Sequence, residues 1–405
     1  MAPKSDGGAA IRVRMYRVGF GDCFLVSLPV GGRMEHILVD CGVHSRGDIG
    51  TLEAAVKNVA DETRGKLALV IATHAHQDHI SGFSAHEAVF RQFQVREVWM
   101  PWTENPKDAD ADKLKQNNVA LVEALTQHFA ARPPSEQAKA VIENLSGNAE
   151  ALRLLKSGIS GGTVTYVEAG KQISDAAGIE GLSARILGPP RDQKFLARMN
   201  PPADERFLRA TPDGEVEAVN AIVPFESVWK VEASSNPFYA AIDERDKNLL
   251  AVAATNAEGL AFALDQIVNN TSVVTLFTFA GKHLLFPGDA QYGNWESWIQ
   301  QHEAKELLSE VNFYKVAHHG SLNATPKSAL EGMAEKAFAA MVSTQNQPWA
   351  SIPLPKLIEA LSAKASGVVR SDSIRVEGAP EGPVVPQLPE GFQQGTFWFD
   401  YFLPV

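Results

Sequence analysis

The sequence predicts a mixed α/β fold built around a large core. Apolar runs between glycine-rich turns predict strands over residues 12–16, 23–28 and 36–39. A helix is predicted over 51–59, because its apolar residues recur three and four positions apart, and a buried strand follows over 67–72. Strands that alternate with helices in this way are typical of layered α/β architectures.

The rest of the chain continues this alternation. Further strands are predicted over 95–100, 164–167, 182–187, 272–279, 283–286, 312–317 and 338–343 and near 373–376 and 396–403, with helices around 84–93 and 295–299 and over 354–363. A helical pattern predicts an insertion at 105–160, and a proline- and charge-rich stretch predicts an irregular, lid-like insertion at 190–268. We therefore expect residues 1–405 to form one enlarged domain.

The composition is that of a soluble globular protein. Of the 405 residues, 45% are hydrophobic and 21% are charged, which is enough for a sizeable core. The net charge of −11 argues against a long sequence-independent nucleic-acid surface. No apolar stretch approaches the length of a membrane span, and the first residues do not form an apolar signal segment. We expect a cytoplasmic location and no membrane partner, and the sequence leaves the oligomeric state open.

The two cysteines, Cys23 and Cys41, flank a predicted hairpin that would place them nearly opposite each other on two strands. Neither lies in a recognisable cysteine-nucleophile signature. In a reducing cytoplasm we expect two buried thiols rather than a disulfide.

A dense cluster of potential metal ligands follows the predicted strand over 67–72. In an extended strand end, His74 and His76 point to the same side, and Asp78 and His79 fold back as the chain turns towards the next helix. Without a metal, three buried imidazoles and a carboxylate would each need a separate hydrogen-bond partner, which is costly. The sequence therefore predicts a metal centre here.

This cluster, Thr73-His74-Ala75-His76-Gln77-Asp78-His79, resembles the His-x-His-x-Asp-His signature of the metallo-β-lactamase superfamily. Other landmarks of that family occur in the same order, namely Asp40 at a strand end, Asp289 after Pro287-Gly288, and His318-His319 before Gly320. The resemblance runs from near residue 12 to near residue 345, and strands in the tail complete it. It implies a four-layer αββα sandwich that carries the two insertions.

The resemblance also implies a ligand set for one or two zinc ions, with manganese as the alternative. It assigns His74 and His76 to a first ion and Asp78 and His79 to a second one. Asp289 is assigned to the position between the two ions. Water is then the nucleophile, because a metal ion activates the water that it binds.

Four residues are predicted to take part in catalysis, namely Asp78, His318, His319 and Asp40. The resemblance leaves open which of His318 and His319 completes the second metal site, and the other would hydrogen-bond the substrate. Asp40 is predicted to orient a ligand imidazole, since ligating histidines commonly donate their second nitrogen to a carboxylate. A turn or capping role is the alternative for Asp40. Asp22 lies in a glycine-flanked turn and is interpreted as a turn residue first and a site residue second.

Four segments narrow the resemblance to the hydrolase domain of ComEC-type DNA-uptake proteins and its soluble relatives: 17–23, 269–274, 286–289 and 315–321. That branch includes nucleases and phosphoesterases. The resemblance therefore implies an anionic substrate, either a small molecule, a nucleotide or a nucleic acid. No membrane channel accompanies the hydrolase pattern, so DNA uptake by this chain alone is not implied.

One histidine of the fuller family pattern is missing. Between residues 80 and 288 the histidines are His86, His128 and His283, and each is predicted to have a surface or packing role. We therefore expect either one firm and one weak metal site, or an unexpected Asp, Glu or Asn ligand from the irregular segment. Asn269 and Asn270 would either reach a phosphate or shape a turn.

The sequence leaves other functions open. Lactone, thioester or β-lactam hydrolysis is the first alternative, because one fold supports many chemistries. A non-catalytic regulatory protein with a degenerate metal site is the second, although a purely structural site needs no such open, carboxylate-rich ligand set. The cations of the segment 191–209 would suit an anionic substrate if they fold over the site, and a solvated charged surface is the alternative.

Overall fold

The computed structural model describes residues 9–116, 136–145, 148–207, 209–210, 216–217, 267–345, 349, 351–372 and 388–405. Several predictions fall outside these residues: the helical pattern over 117–135, His128, most of the irregular insertion and the strand expected near 373–376.

The strands have the following bounds: β1 (Ala10–Tyr16), β2 (Gly19–Phe20), β3 (Cys23–Val30), β4 (Arg33–Cys41), β5 (Ser45–Arg46), β6 (Lys66–Ile71), β7 (Gln94–Pro101), β8 (Thr163–Val167), β9 (Gln172–Ile173), β10 (Leu182–Gly188), β11 (Arg209–Ala210), β12 (Val216–Glu217), β13 (Val274–Phe279), β14 (Lys282–Phe286), β15 (Val311–Lys315), β16 (Ala339–Val342), β17 (Gly367–Arg370), β18 (Phe392–Gln394) and β19 (Trp398–Pro404).

Two large sheets contain most of these strands. The first has the order β18-β19-β1-β3-β4-β6-β7-β8, and the second has the order β17-β16-β15-β14-β13-β10-β9. In the first sheet, β4, β6, β7 and β8 run parallel. In the second sheet, β14, β15, β16 and β17 run parallel. Parallel neighbours end at the same edge of a sheet, so each sheet presents a row of carboxyl-end loops.

The helices have the following bounds: Leu52–Thr63, Gln77–Ala85, Glu87–Phe90, Glu136–Leu145, Ala149–Lys156, Gly158–Gly161, Gln193–Leu196, Tyr292–Ile299, Ala304–Ser309, Lys327–Gly332 and Pro355–Lys364. Residues 109–116 are also helical.

The main core lies between the two sheets. Phe24 and Trp99 from the first sheet face Phe277, Phe286 and Phe313 from the second, and all five side chains are buried. The ring centroids of Trp99 and Phe277 are 6.4 Å apart, and those of Phe24 and Phe286 are 6.1 Å apart. Aromatic side chains bury large apolar areas, which makes this interface a principal source of hydrophobic stabilisation.

Helices cover the outer face of each sheet. Val56 of the helix Leu52–Thr63 belongs to an apolar cluster with Val70 of β6. Trp295 and Leu361, from two other helices, belong to a cluster with Tyr314 of β15. The architecture is therefore a four-layer αββα sandwich, which confirms the predicted fold class.

One element prediction needs correction, and several short elements, among them the helices Ala304–Ser309 and Lys327–Gly332, were not predicted. The helix expected around 84–93 begins earlier, because Gln77–Ala85 is helical and a second short helix, Glu87–Phe90, follows it. The first turn of this helix is polar, so it lacks the apolar periodicity that marks a helix in a sequence. The strand β17 was not predicted, since it is only four residues long and follows a helix directly.

Cys23 and Cys41 are register partners of β3 and β4, and both are buried and free. This agrees with the expected pair of buried thiols. None of the helices within the described residues has both the length and the apolar character that crossing a membrane requires.

Candidate metal centre

The predicted ligands lie at the carboxyl ends of strands in both sheets. Asp40 lies near the end of β4, and the cluster 73–79 follows β6. Asp289 follows β14, and His318-His319 follow β15. Backbone hydrogen bonds join the two rows of loops, since the N–H of Val273 donates to the carbonyl of Thr73 at 2.9 Å. Residues from distant parts of the chain therefore meet at one edge of the sandwich.

Four buried side chains converge at this edge. Asp78, His79, Asp289 and His319 each offer one ligand atom, and these atoms all lie within 4.8 Å of one another. Nε2 of His319 is 3.1 Å from Oδ2 of Asp78 and also 3.1 Å from Oδ2 of Asp289. Nε2 of His79 is 3.1 Å from the same Asp289 oxygen. One oxygen of Asp289 thus faces both imidazoles, as a bridging ligand would.

The donor atoms of this set fit a divalent cation. Oδ1 of Asp78, Nε2 of His79 and Oδ2 of Asp289 are buried and make no hydrogen bond in the structure. Leaving such polar atoms unsatisfied is costly, and a cation bound among them would satisfy several at once. Imidazole nitrogens and carboxylate oxygens together suit zinc, and a larger share of oxygen ligands suits manganese.

Asp40 holds His79 in position. Its Oδ1 accepts from the N–H of Thr73 at 2.8 Å, and its Oδ2 accepts from the Thr73 hydroxyl at 2.7 Å. Oδ2 also lies 2.7 Å from Nδ1 of His79. A proton on Nδ1, held by Asp40, leaves Nε2 of His79 directed at Asp289.

A glycine lets the helix that carries His79 approach the loop after β4. A Cβ atom on Gly42 would lie 2.4 Å from the backbone nitrogen of His79. Any larger residue at Gly42 would therefore push the first turn of the helix Gln77–Ala85 away from Asp40.

His74 and His76 form a separate pair beside this set. Nε2 of His74 lies 3.0 Å from Nδ1 of His76, and the ring of His74 lies 4.2 Å from that of His79. Burial lowers the pKa of both residues, and that of His76 falls to about 4. Both imidazoles are therefore neutral near pH 7, the state in which histidine binds metal.

The two late histidines have different environments in the structure. Nδ1 of His319 donates to the carbonyl of Ser343 at 2.8 Å, so that its Nε2 faces Asp78 and Asp289. His318 and His319 both have left-handed backbone angles, with φ of 45° and 54°, and their ring centroids are 6.1 Å apart. His318 is not among the four residues whose ligand atoms converge.

His318 lies in a polar environment of its own. Its Nδ1 is 2.8 Å from Oγ of Ser321, and its Nε2 is 3.4 Å from Nδ2 of Asn269. Burial lowers the pKa of His318 to about 4, so the imidazole is neutral near pH 7. A neutral imidazole can both donate and accept a hydrogen bond.

The carboxylates control the protonation of the ligand imidazoles in the metal-free protein. Burial by itself lowers the pKa of His319, but the charges of Asp289 and Asp78 outweigh this and raise it to about 10. Burial also lowers the pKa of His79. The charges of Asp289, Asp78 and Asp40 outweigh burial and raise this pKa well above its usual value. The raised pKa values favour protonated imidazoles in the metal-free protein, and a bound metal ion would displace these protons.

Metal binding at pH 7 is accordingly expected to release about two protons, one from His79 and one from His319. Because both pKa values are raised above neutrality, metal affinity should fall as the pH is lowered through 7. Titration calorimetry of the metal-free protein in two buffers with different ionisation enthalpies measures the number of protons released. Metal binding with no proton release would contradict the raised pKa values of these two residues.

From the sequence alone, Lys315 has no predicted site role, and Asp22 is interpreted as a turn residue first. Lys315 is buried, forms an ion pair with Asp22, and lies 3.0 Å from Oδ1 of Asp289. The available signal was a lysine at the end of a largely buried strand, β15, three residues before His318. Asp22, Asp40 and His79 also lie close enough together to form a second candidate group. In this group Asp22 is already paired with Lys315.

Neither His86 nor His283, the two described histidines between residues 80 and 288, takes the place of the missing ligand histidine. His86 ends the helix Gln77–Ala85. His283 lies at the amino end of β14, where its Nδ1 is 3.1 Å from Oγ1 of Thr278. Both placements agree with the surface or packing roles expected for them.

The two asparagines before β13 have different environments. The side-chain oxygen of Asn270 accepts from the N–H groups of Gln291 and Asn294, which makes Asn270 a structural residue. Asn269 is also buried, but its Oδ1 has no hydrogen-bond partner, and its Nδ2 faces His318. Asn269 is therefore the residue that could contact a ligand.

The basic segment after residue 190 is largely neutralised. Arg191 pairs with Asp108 and Glu168, and Arg198 pairs with Glu296. These two guanidinium groups already have carboxylate partners, so they offer little free charge to an anionic substrate.

Comparison with known proteins supports the superfamily resemblance over one part of the chain. The sequence model of the metallo-beta-lactamase superfamily matches residues 16–107, which include Asp40 and the cluster 73–79 but neither Asp289 nor His318-His319. No curated protein matches the sequence.

Two solved structures are distantly similar. Igni18, a novel metallo hydrolase from the hyperthermophilic archaeon Ignicoccus hospitalis KIN4/I, is 14% identical, with 82% of this chain and 81% of that chain covered and a TM-score of 0.32. The metallo-beta-lactamase fold protein YhfI from Bacillus subtilis is 9% identical, with 89% and 95% covered and a TM-score of 0.37. No conclusion about function follows from such low scores. The sandwich and the matched segment nevertheless give this protein a metallo-β-lactamase fold, which implies divalent metal binding, and its buried His/Asp cluster indicates a metal-dependent hydrolase.

Proposed function

We propose that this protein is a metal-dependent hydrolase that directs water at a phosphodiester or a related anionic ester. The observation that carries this proposal is the convergence of Asp78, His79, Asp289 and His319, with one ligand atom from each within 4.8 Å. Zinc is the favoured metal, and manganese is the alternative.

The ligand set favours catalysis over a purely structural or regulatory role. Structural zinc sites are closed and use four cysteine or histidine ligands. Here two carboxylates share the site with imidazoles, and the oxygen Oδ2 of Asp289 faces both His79 and His319. Such a set would leave a bound ion room for water and substrate. A bound divalent ion would supply Lewis acidity there and lower the pKa of water.

Neighbouring groups would orient the ligand imidazoles and fix the position of their protons. Asp40 keeps the proton of His79 on Nδ1, and the carbonyl of Ser343 does the same for His319. His318, which is neutral and lies beside Asn269, is placed to hydrogen-bond a substrate oxygen. This arrangement would position an ester next to activated water without a covalent intermediate on the protein.

A phosphodiester is the favoured substrate for two reasons. The sequence resembles the ComEC-type branch, which includes nucleases and phosphoesterases. A metal pair about 3.5–4 Å apart is also well suited to stabilise the attacking and leaving oxygens of a phosphoester. The net charge of −11 favours a small phosphodiester, such as a cyclic nucleotide, over a long polynucleotide.

The test is hydrolysis by protein that has been stripped of metal and then reconstituted with Zn²⁺ or Mn²⁺. The substrates are bis-p-nitrophenyl phosphate, a cyclic dinucleotide, single-stranded DNA, a lactone and a chromogenic β-lactam. We expect hydrolysis of the phosphodiesters, loss of activity with a chelator, and recovery when metal is restored. Asp78→Ala should be inactive, while His283→Ala, which changes a histidine of the opposite sheet edge, should keep full activity.

Elemental analysis of protein purified without chelator completes the test. Hydrolysis of the lactone or β-lactam alone would favour the alternative substrate classes. Absence of bound transition metal, together with no activity after metal addition, would exclude a metal-dependent hydrolase.

A further inference from the structure

Lys315 places a permanent positive charge inside the candidate metal centre. It is the last residue of β15, and only 2% of its surface is exposed. Its ammonium group forms an ion pair with Oδ2 of Asp22, in the turn before β3, and lies 3.0 Å from Oδ1 of Asp289, in the loop after β14. A buried lysine is rare unless it is paired, so these two carboxylates account for its burial.

The surroundings of Lys315 exclude a direct role in proton transfer or substrate binding. An ammonium group has three N–H donors. In the structure it meets three acceptors, since Nζ also lies 2.9 Å from the carbonyl of Gly288, in addition to Asp22 and Asp289. With all donors used, Lys315 acts through its charge and its position.

Its charge acts on a group of four buried carboxylates: Asp22, Asp40, Asp78 and Asp289. One ammonium group against four carboxylates leaves a formal charge of −3 when the imidazoles are neutral. Asp22 is tied to this group through its backbone, because its N–H donates to the carbonyl of Asp78 at 2.9 Å. Lys315 therefore neutralises part of the negative charge that attracts metal ions.

Because of Lys315, the two carboxylate oxygens of Asp289 have different neighbours. Oδ1 faces the ammonium group, while Oδ2 faces His79 and His319. Lys315 thus engages Oδ1, and Oδ2 is the oxygen of Asp289 that would be offered to a metal ion.

We propose that Lys315 is a built-in cation that sets the affinity of this centre for divalent metal ions, with Asp22 as its counter-charge. The inference rests on the proposed function, because it requires the centre to bind metal. A fixed positive charge this close to the ligands repels incoming cations, and burial makes the effect strong because solvent screens it little. Lys315 would thus keep the more loosely held ion exchangeable, in a site that lacks the middle histidine.

Three variants change the formal charge of the carboxylate group in steps. Asp22→Asn changes it to −2, Lys315→Met changes it to −4, and the double variant Lys315→Met/Asp22→Asn returns it to −3. The affinity for Zn²⁺ or Mn²⁺ is measured by calorimetry or chelator competition on metal-stripped protein without substrate. We expect Lys315→Met to bind at least about tenfold more tightly and Asp22→Asn at least about tenfold more weakly, with the double variant close to the wild type.

Arg14→Met is the matched control, because Arg14 forms a buried ion pair with Asp400 in the first sheet. It should leave metal affinity unchanged, which separates the loss of local charge from a general loss of stability. Circular dichroism establishes that each variant is folded. If Lys315→Met does not fold, the comparison of Asp22→Asn with the double variant still tests the inference. The double variant restores the formal charge of the carboxylate group, so it should bind metal more tightly than Asp22→Asn does.

Equal or weaker metal binding by Lys315→Met would overturn the inference alone, and so would a double variant no tighter than Asp22→Asn. A wild-type protein that binds no divalent ion would overturn both the inference and the proposed function.

Discussion

Replacement of His319 by alanine is expected to abolish metal binding at the second position, whereas replacement of His318 is expected to leave it intact. Nε2 of His319 lies 3.1 Å from both Asp78 and Asp289, while His318 faces Asn269 and Ser321. Metal affinity should fall more than about 100-fold in His319→Ala, since even residues that only orient a ligand contribute 10- to 100-fold.

His318→Ala should retain its metal but hydrolyse substrate about 10²- to 10³-fold more slowly, as expected for the loss of one hydrogen bond to a developing charge. Metal content by elemental analysis and kcat on the same preparations provide the two measurements. His283→Ala, which should change neither, is the matched control. If His318→Ala lost metal while His319→Ala kept it, the assignment of the two histidines would be reversed.

Replacement of Asp289 by asparagine is expected to have an equally large effect, with almost no change in side-chain volume. Oδ2 of Asp289 faces both His79 and His319, and its Oδ1 faces Lys315. An amide in its place removes the negative charge that the two imidazoles share. Activity should fall by at least about 10³-fold, and the more weakly bound ion should be lost.

The same variant has a signature in the metal-free protein. Burial lowers the pKa of His319, but Asp289 is the main charge that outweighs burial and raises the pKa to about 10. In Asp289→Asn this pKa should move down towards neutrality, which nitrogen chemical shifts of the imidazole would show in an NMR titration. Asp192→Asn, a change at a carboxylate on the surface, is the control. An unchanged pKa of His319 in Asp289→Asn would mean that Asp289 does not govern this imidazole.

Much of the fold was predictable because its signals are local. The strands β1, β3, β4 and β6 overlap the ranges predicted from apolar runs. The alternation of strands and helices was sufficient for the α/β class, and the hairpin pattern placed Cys23 opposite Cys41. The start of the helix at Gln77 was missed, because its first turn consists of site residues whose polarity hides the helical period.

The sequence by itself determined which residue types could bind metal, because a cluster such as His74 to His79 lies within one strand end and one helical turn. It also determined the order of Asp40, Asp289 and His318-His319 along the chain. These features need only short-range geometry and spacing.

Only the tertiary structure decided which of these side chains meet. The left-handed backbone at His318 and His319 sends adjacent side chains in different directions, and no spacing rule reveals this. Lys315 is an ordinary cation in the sequence. It becomes part of the metal centre because the packing of two sheets brings Asp22, from the start of the chain, against Asp289. Burial then makes every charge in the group depend on the others, and that coupling exists only in the folded protein.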